Sequence, residues 1–187
     1  MRWVIDEYGK QVEITGYRSK EFAKVEAFLK TNRKNTASNV NIQLFDADLI
    51  ATSEHLYFAA LNALQAFKTK TNISKSIAVE TILYASAKRQ IQKAIETIGV
   101  NPKTKCLAVA IIGSNAEDLD SAQRELTAHL GIKPDESVLE LTPEKQRKIR
   151  ATFQIGDKEM KIATKTTPNQ AIVDLVIEHV ALLSAQI

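Results

Sequence analysis

The chain has 187 residues, 44% of them hydrophobic and 25% charged, with a formal net charge of +3. These are the proportions of an ordinary globular protein, long enough to bury about 70% of its unfolded surface in one core. No apolar run approaches the roughly eighteen residues of a membrane helix, Met1-Arg2-Trp3-Val4-Ile5-Asp6 does not read as a signal peptide, and so small a charge does not by itself argue for nucleic acid.

Arg2 to Ile5 and Lys10 to Gly16 flank Glu7-Tyr8-Gly9 and read as a short hairpin with Gly9 at its turn. Ser19 to Lys30 is helical, because Phe22, Val25 and Leu29 fall at i, i+3 and i+7. A polar, basic loop follows from Asn32 to Asn39. Val40, Ile42 and Leu44 then alternate with polar residues, as in a half-buried strand. Ser53 is a cap candidate for a helix burying Leu56, Ala59, Ala60, Ala63, Leu64 and Phe67. Asn72-Ile73-Ser74 offers caps for a second helix, about Lys75 to Ala85. Ser86-Ala87-Lys88 breaks to a third, on which Ile91, Ala94, Ile95 and Ile98 repeat until Gly99 stops it.

Cys106 is the lone cysteine, which excludes an internal disulfide and thiolate zinc clusters and suits a reducing cytoplasm. Leu107 to Ile112 is a continuous apolar run, the mark of a central strand buried on both faces. Gly113-Ser114-Asn115 turns it into a helix from Ala116 to Leu130, ended by Gly131. Pro143 to Arg150 reads as a short basic helix whose Lys145, Arg147, Lys148 and Arg150 form an exposed face. Thr152 to Ile155 and Glu159 to Ala163 read as a hairpin around Gly156-Asp157. Pro168 opens a last helix running nearly to Ile187. The expected fold is α+β, one domain over residues 1–187, with a mainly antiparallel sheet of four or more strands covered by helices.

No dinucleotide, phosphate-loop, nucleophile-elbow or zincin motif is present, so no cofactor or metal is expected. The histidines His55, His129 and His179 show no metal-ligand spacing. The nearest approach to a ligand site is the strand–helix junction Gly113 to Asn115, the alternative reading being a small enzyme or ligand-binding protein that uses it. Its first turn carries Glu117, Asp118 and Asp120, which would repel a phosphate. Ser114 or Asn115 as a helix cap is the simpler reading.

Charge is uneven along the chain. Between Lys68 and Lys93 stand Lys68, Lys70, Lys75, Lys88, Arg89 and Lys93 against Glu80 alone, a local charge of +5 that leaves −2 for the rest. Asn72, Ser74, Ser86 and Gln90 add hydrogen-bonding groups at helix ends, and Tyr84 offers a ring to a base. The segment reads either as a solvated basic face or as an RNA contact. On the last helix, Ile172, Val173, Val176, Ile177, Val180 and Leu183 form one apolar arc, and Leu175 and Leu182 a second stripe beside it. Together they exceed the stripe of roughly 100° that a surface helix needs. Either the helix lies between the sheet and another helix, or the extra stripe docks a partner protein.

The block Asn72-Ile73-Ser74-Lys75 with Glu80-Thr81-Ile82-Leu83-Tyr84-Ala85-Ser86-Ala87-Lys88-Arg89-Gln90-Ile91 resembles the core of the small KEOPS-complex subunit, the TPRKB-like family of archaea and eukaryotes. His55-Leu56-Tyr57-Phe58-Ala59 with Ala66-Phe67-Lys68, and Val173 to Leu183, are similar to its flanking helices. The resemblance covers roughly Ile14 to Leu183, with no pattern from Thr152 to Thr166. Three positions depart from the family. Ala87 stands where glycine is usual, so a left-handed backbone is not expected there without strain. Lys88 replaces arginine, and Ser76 stands where an acid often follows the Ile-Ser-Lys triplet.

The resemblance implies a non-catalytic protein. It would bind the complex's small atypical kinase/ATPase subunit and the single-stranded 3′ CCA end of tRNA, supporting threonylcarbamoyladenosine formation. The implied tRNA-binding residues are Asn72, Ser74, Lys75, Tyr84, Ser86, Lys88, Arg89 and Gln90. The implied kinase-binding residues are Leu175, His179, Leu182 and Leu183.

Overall fold

The computed structural model describes residues 1–19, 21–34, 39–163 and 167–186, the side chains of Arg33, Lys34 and Gln186 excepted. Strands β1 (Arg2–Ile5), β2 (Lys10–Arg18), β3 (Asn41–Asp46) and β4 (Cys106–Gly113) form one sheet in the order β1-β2-β4-β3. Every neighbouring pair is antiparallel, which makes the fold α+β. β1 and β2 are joined through a 3-10 turn, Asp6–Tyr8, that Gly9 ends in a left-handed conformation.

β4 is central and buried on both faces, as its unbroken apolar run predicts. Ala108, Ala110 and Ile112 point into a core shared with helices α2 (Ser53–Thr69), α3 (Ile77–Ser86) and α4 (Ile91–Ile98). Leu107, Val109 and Ile111 point the other way, into a core with α1 (Phe22–Lys34) and α5 (Ala116–Leu130). The period of two in the strand therefore sorts its residues between two helical layers. α1 continues to Lys34, which corrects the expectation of a loop from Asn32, and residues 35–38 of that stretch lie outside the described residues.

A third core joins helices α6 (Pro143–Phe153), α7 (Asp157–Ala163) and α8 (Pro168–Leu182). α8 buries Ile172, Val173 and Val176 there, and Val180 in the main core. It packs against α2 on one side and α6 and α7 on the other. That corrects the expectation of burial between sheet and helix: the buried part of the apolar face of α8 packs chiefly against other helices.

The hairpin expected from Thr152 to Ala163 is helical instead. α6 runs through Phe153 and is closed by Gln154 in the left-handed region at φ 58°. The Ile155 N–H then donates to the Arg150 carbonyl at 2.9 Å. Glu159 accepts from the Gly156 N–H at 2.6 Å, and the Asp157 carboxylate pairs with Arg150 at 2.6 Å. Local side-chain-to-backbone bonds thus start α7 where alternation alone suggested a strand. Residues 164–166 of that region lie outside the described residues.

Of the basic face expected on α6, Arg147 is exposed, and the expectation is corrected at Lys145. Lys145 is buried, its Nζ donating to the Val138 carbonyl at 2.9 Å, and desolvation lowers its pKa to about 8. Lys148 is matched by Asp48 and Glu144, and Arg150 by Asp157. Nor does Ser53 cap α2: the N-cap is Thr52, while the Ser53 hydroxyl donates to the Met1 sulfur.

Candidate functional site

The residues expected to touch RNA surround α3, but they divide between its two ends. α3 has ten residues and spans about 15 Å. Asn72, Ser74 and Lys75 lie before its start; Ser86, Lys88, Arg89 and Gln90 lie at and beyond its end. α4 packs against α3, and Gly99 at the α4 C-terminus bridges to Phe45 of β3.

The loop before α3 is fastened by its own groups. Asn72 Nδ2 donates to the Ser74 carbonyl at 2.8 Å. Ser74 Oγ donates to the Ser76 carbonyl at 2.8 Å and accepts from the Ser76 N–H at 3.4 Å. The Glu80 carboxylate, only 1% exposed, accepts from the Ile73 N–H with both oxygens at 3.1 Å and from the Ser74 N–H at 2.7 Å. Backbone donors that could have met a phosphate are thus occupied by an internal anion. From sequence alone Glu80 counts only as a charge. Its signal was its isolation as the single acid among six cations.

Lys75 is exposed at the rim of a cleft of about 560 Å³ between the α1–β3 and α3–α4 pairs. Leu29, Ile42, Ile82 and Ile95 give it apolar walls, and Asn32, Gln43 and Ser76 contribute polar groups. Helix α3 starts there with no side chain bonded at its N-cap. This cleft has no signature in the sequence, because its walls come from segments far apart in the chain.

At the other end, Ser86 is buried, its hydroxyl donating to the Leu83 carbonyl at 3.0 Å. Ala87 is left-handed at φ 52°, and its N–H reaches back to the Leu83 and Tyr84 carbonyls. Alanine thus takes the glycine-like backbone with the strain expected of it: the helix terminator is kept, at a cost of about 1 kcal/mol or a little more. Lys88 is half-buried; Arg89 and Gln90 are exposed.

Tyr84 cannot offer a stacking face in this conformation. Its side chain is 3% exposed because α3 is enclosed by α2, α4, α8 and β3. Burial first, then the Glu80 charge, raises its phenol pKa. Ser74, at 5% exposure, is likewise part of the loop's interior. Lys68 is drawn away from the patch, pairing with Glu7 at 2.9 Å over the Tyr8 ring. Lys70, Lys75, Lys88 and Lys93 make no ion pair among the described residues.

His55 ties α2 to the end of α3. Its Nδ1 accepts from the Ala51 N–H at 3.3 Å and its Nε2 donates to the Ala85 carbonyl at 2.8 Å, which fixes the neutral Nε2–H tautomer. Complete burial lowers its pKa to about 4. This is a structural histidine, bonded to the residue just before the Ser86–Gln90 turn.

On α8, Leu182 is 49% exposed, and Leu175 and His179 are half-buried. Leu183 is 2% exposed and belongs to the main core, which corrects its grouping with the docking stripe. It follows Val180 at i+3 into the core shared with α2. Ile162 of α7, assigned to a strand from sequence, is 78% exposed on the helix beside α8.

The Gly113–Asn115 junction is filled by the chain itself. Asn115 Oδ1 accepts from the Asp118 N–H at 2.8 Å, as a helix cap. Ser114 Oγ accepts from Lys10 Nζ at 2.8 Å. A Cβ at Gly113 would sit 2.5 Å from Leu119 Cδ1, so its backbone is packed against its own helix. No group of three or more His, Cys, Asp or Glu suited to a metal occurs among the described residues, and no described helix is long and apolar enough to cross a membrane.

Residues 22–184 match the family described as kinase binding protein CGI-121. The chain belongs to that family. The match spans both ends of α3, the cleft and α8, and it is the assignment to which the residues around α3 pointed. Within the family, the chain is 35% identical over 116 residues to the regulatory protein Cgi121 of Methanocaldococcus jannaschii, covering 62% of this chain and 72% of that protein.

Proposed function

We propose that this CGI-121 family member is a non-catalytic KEOPS subunit that binds the 3′ CCA end of tRNA and the complex's atypical kinase/ATPase subunit. In this role it supports threonylcarbamoyladenosine modification of tRNA. The observation that carries the RNA part is the set of lysines around α3 that make no ion pair among the described residues. Lys75 stands at the cleft rim; Lys88 stands at the opposite end of the helix, and Lys93 on α4 is exposed. An extended strand following α3 meets cations at both ends. With Tyr84 inside, the cleft beside Lys75 takes over the role of receiving a base: its walls are apolar, and amides stand at its edge. Asn72 and Ser74 shape the loop, and Arg89 and Gln90 extend the contact at the far end.

Kinase binding is assigned to the surface around Leu182, with Leu175 and His179 beneath it. The family description supports a kinase partner for this chain. An exposed leucine beside half-buried apolar neighbours is the kind of anchor a partner helix or sheet edge covers. The experiment that tests the RNA part compares the affinity of the protein for one tRNA with and without its terminal CCA.

A further inference from the structure

We propose that Glu80 is a positioning residue for RNA, acting through Lys75. The proposal rests on the RNA reading above and goes beyond it by assigning a role to the one acid in the basic segment. A carboxylate beside a polyanion site ordinarily weakens binding. Here its charge is turned inward: both oxygens face the Ile73 N–H and one also meets the Ser74 N–H, at 1% exposure. Glu80 sits in the first turn of α3, where the helix N-terminus favours a negative charge. The Ser76 carbonyl accepts from its backbone N–H at 2.8 Å. One residue thereby clamps the loop on which Lys75 stands to the helix that Lys75 precedes.

The clamp matters because Lys75 makes no ion pair among the described residues, and the other ties of its loop, Asn72 to the Ser74 carbonyl and Ser74 Oγ to Ser76, hold the loop to itself and not to the first turn of α3. Freed of Glu80, Ile73 and Ser74 would lose their bonds to the helix, and part of the ordering of the loop would then be deferred until RNA arrives and would cost affinity. Two physical expectations therefore oppose each other. Simple electrostatics has Glu80→Gln strengthen RNA binding, since an anion is removed from a cationic face. Positioning has it weaken binding, since glutamine removes the charge that the two N–H groups meet and sets an NH2 donor where the second oxygen accepts from the Ile73 N–H.

The test is a double-mutant cycle in the full chain, read as affinity for intact tRNA across a salt series. Glu80→Gln is expected to weaken binding roughly fivefold to tenfold. It is also expected to flatten the salt dependence by about one phosphate contact, near 0.7 in the log–log slope for a single strand. In a Lys75→Ala background the same change is expected to have no further effect. If Glu80→Gln prevents folding, Glu80→Asp replaces it, keeping the charge but shortening the reach. Its loss should be smaller and should again vanish without Lys75. Tighter or equal binding by the Glu80 variants, while Lys75→Ala weakens binding, overturns the positioning role and leaves the RNA reading standing. An equal loss with and without Lys75 also overturns it. Full affinity in Lys75→Ala overturns the reading at Lys75 itself, and the proposal with it.

Discussion

Acidification from pH 7.5 to 5 should destabilise the protein through His55 alone by about 2 kcal/mol. The imidazole is wholly buried and its pKa falls from 6.5 to about 4. In the unfolded chain it titrates near 6.5, so between those values the unfolded state binds the extra proton. Stability contributed by the neutral ring is therefore complete above 6.5 and is lost as pH falls toward 4. A shift of about 2.5 units corresponds to roughly 3 kcal/mol once both states are protonated, and about two-thirds of that is spent by pH 5. Protonation would also turn Nδ1 from acceptor to donor against the Ala51 N–H, breaking the bond that ties the ring to the segment before α2. Urea unfolding at pH 7.5, 6 and 5 measures the change, and the proton spectrum of the His55 ring locates the titration. His55→Gln should lower stability at pH 7.5 and remove most of the pH dependence. A His55 ring that titrates near 6.5 in the folded protein, or a wild-type stability that is level from pH 7.5 to 5, would refute the reasoning.

Lys88→Glu combined with Arg89→Glu should weaken tRNA binding at least tenfold, with the loss largest at low salt, as a filter-binding salt series can read. Leu182→Glu should abolish co-purification of the kinase subunit while leaving the circular dichroism melt within a few degrees of wild type. Leu183→Ala, one residue on, should do the reverse: about 2–4 kcal/mol of stability lost in urea, because its side chain fills the core between α8 and α2. Ala87→Gly should stabilise by about 0.5–1 kcal/mol by relieving the left-handed backbone at φ 52°, less a part for the small contact its methyl makes with the α6–α8 core. A destabilised Ala87→Gly would mean that this contact outweighs the backbone strain.

The parts of the fold legible in the sequence are those whose signals are local. β4 announced itself because a strand buried on both faces needs no alternation. α5 did so because Asn115 and Gly131 supply both its ends, the one by a side-chain cap and the other by a left-handed residue at φ 67°. The misread stretch from Thr152 to Ala163 carries alternating apolar residues, yet Gln154, not Gly156, takes the left-handed position. Alternation over so few residues fits a helix end as well as a strand.

At the candidate site the sequence supplied the residue types but not their directions. Charge counting found the lysines around α3, and it also placed Tyr84 and Ser74 on the surface when both are inside. Periodicity could not reveal this, since α3 is apolar on nearly every side and its enclosure depends on α2, α4, α8 and β3 together. The opposite sense held for Glu80, whose type suggested exposure and whose partners are two backbone N–H groups. Lys145 on α6 made the same departure, buried with its ammonium on the Val138 carbonyl. Leu182 and Leu183 differ only by a helical step, yet one is half-exposed and the other sealed.

The most direct measurement is the affinity of the full chain for one tRNA carrying its terminal CCA and for the same tRNA lacking it, at moderate salt. The account predicts that removing those three nucleotides lowers affinity at least tenfold, and that Lys75→Ala narrows the gap between the two RNAs. Equal affinity for both would contradict it, leaving a kinase-binding protein whose lysines around α3 face only water.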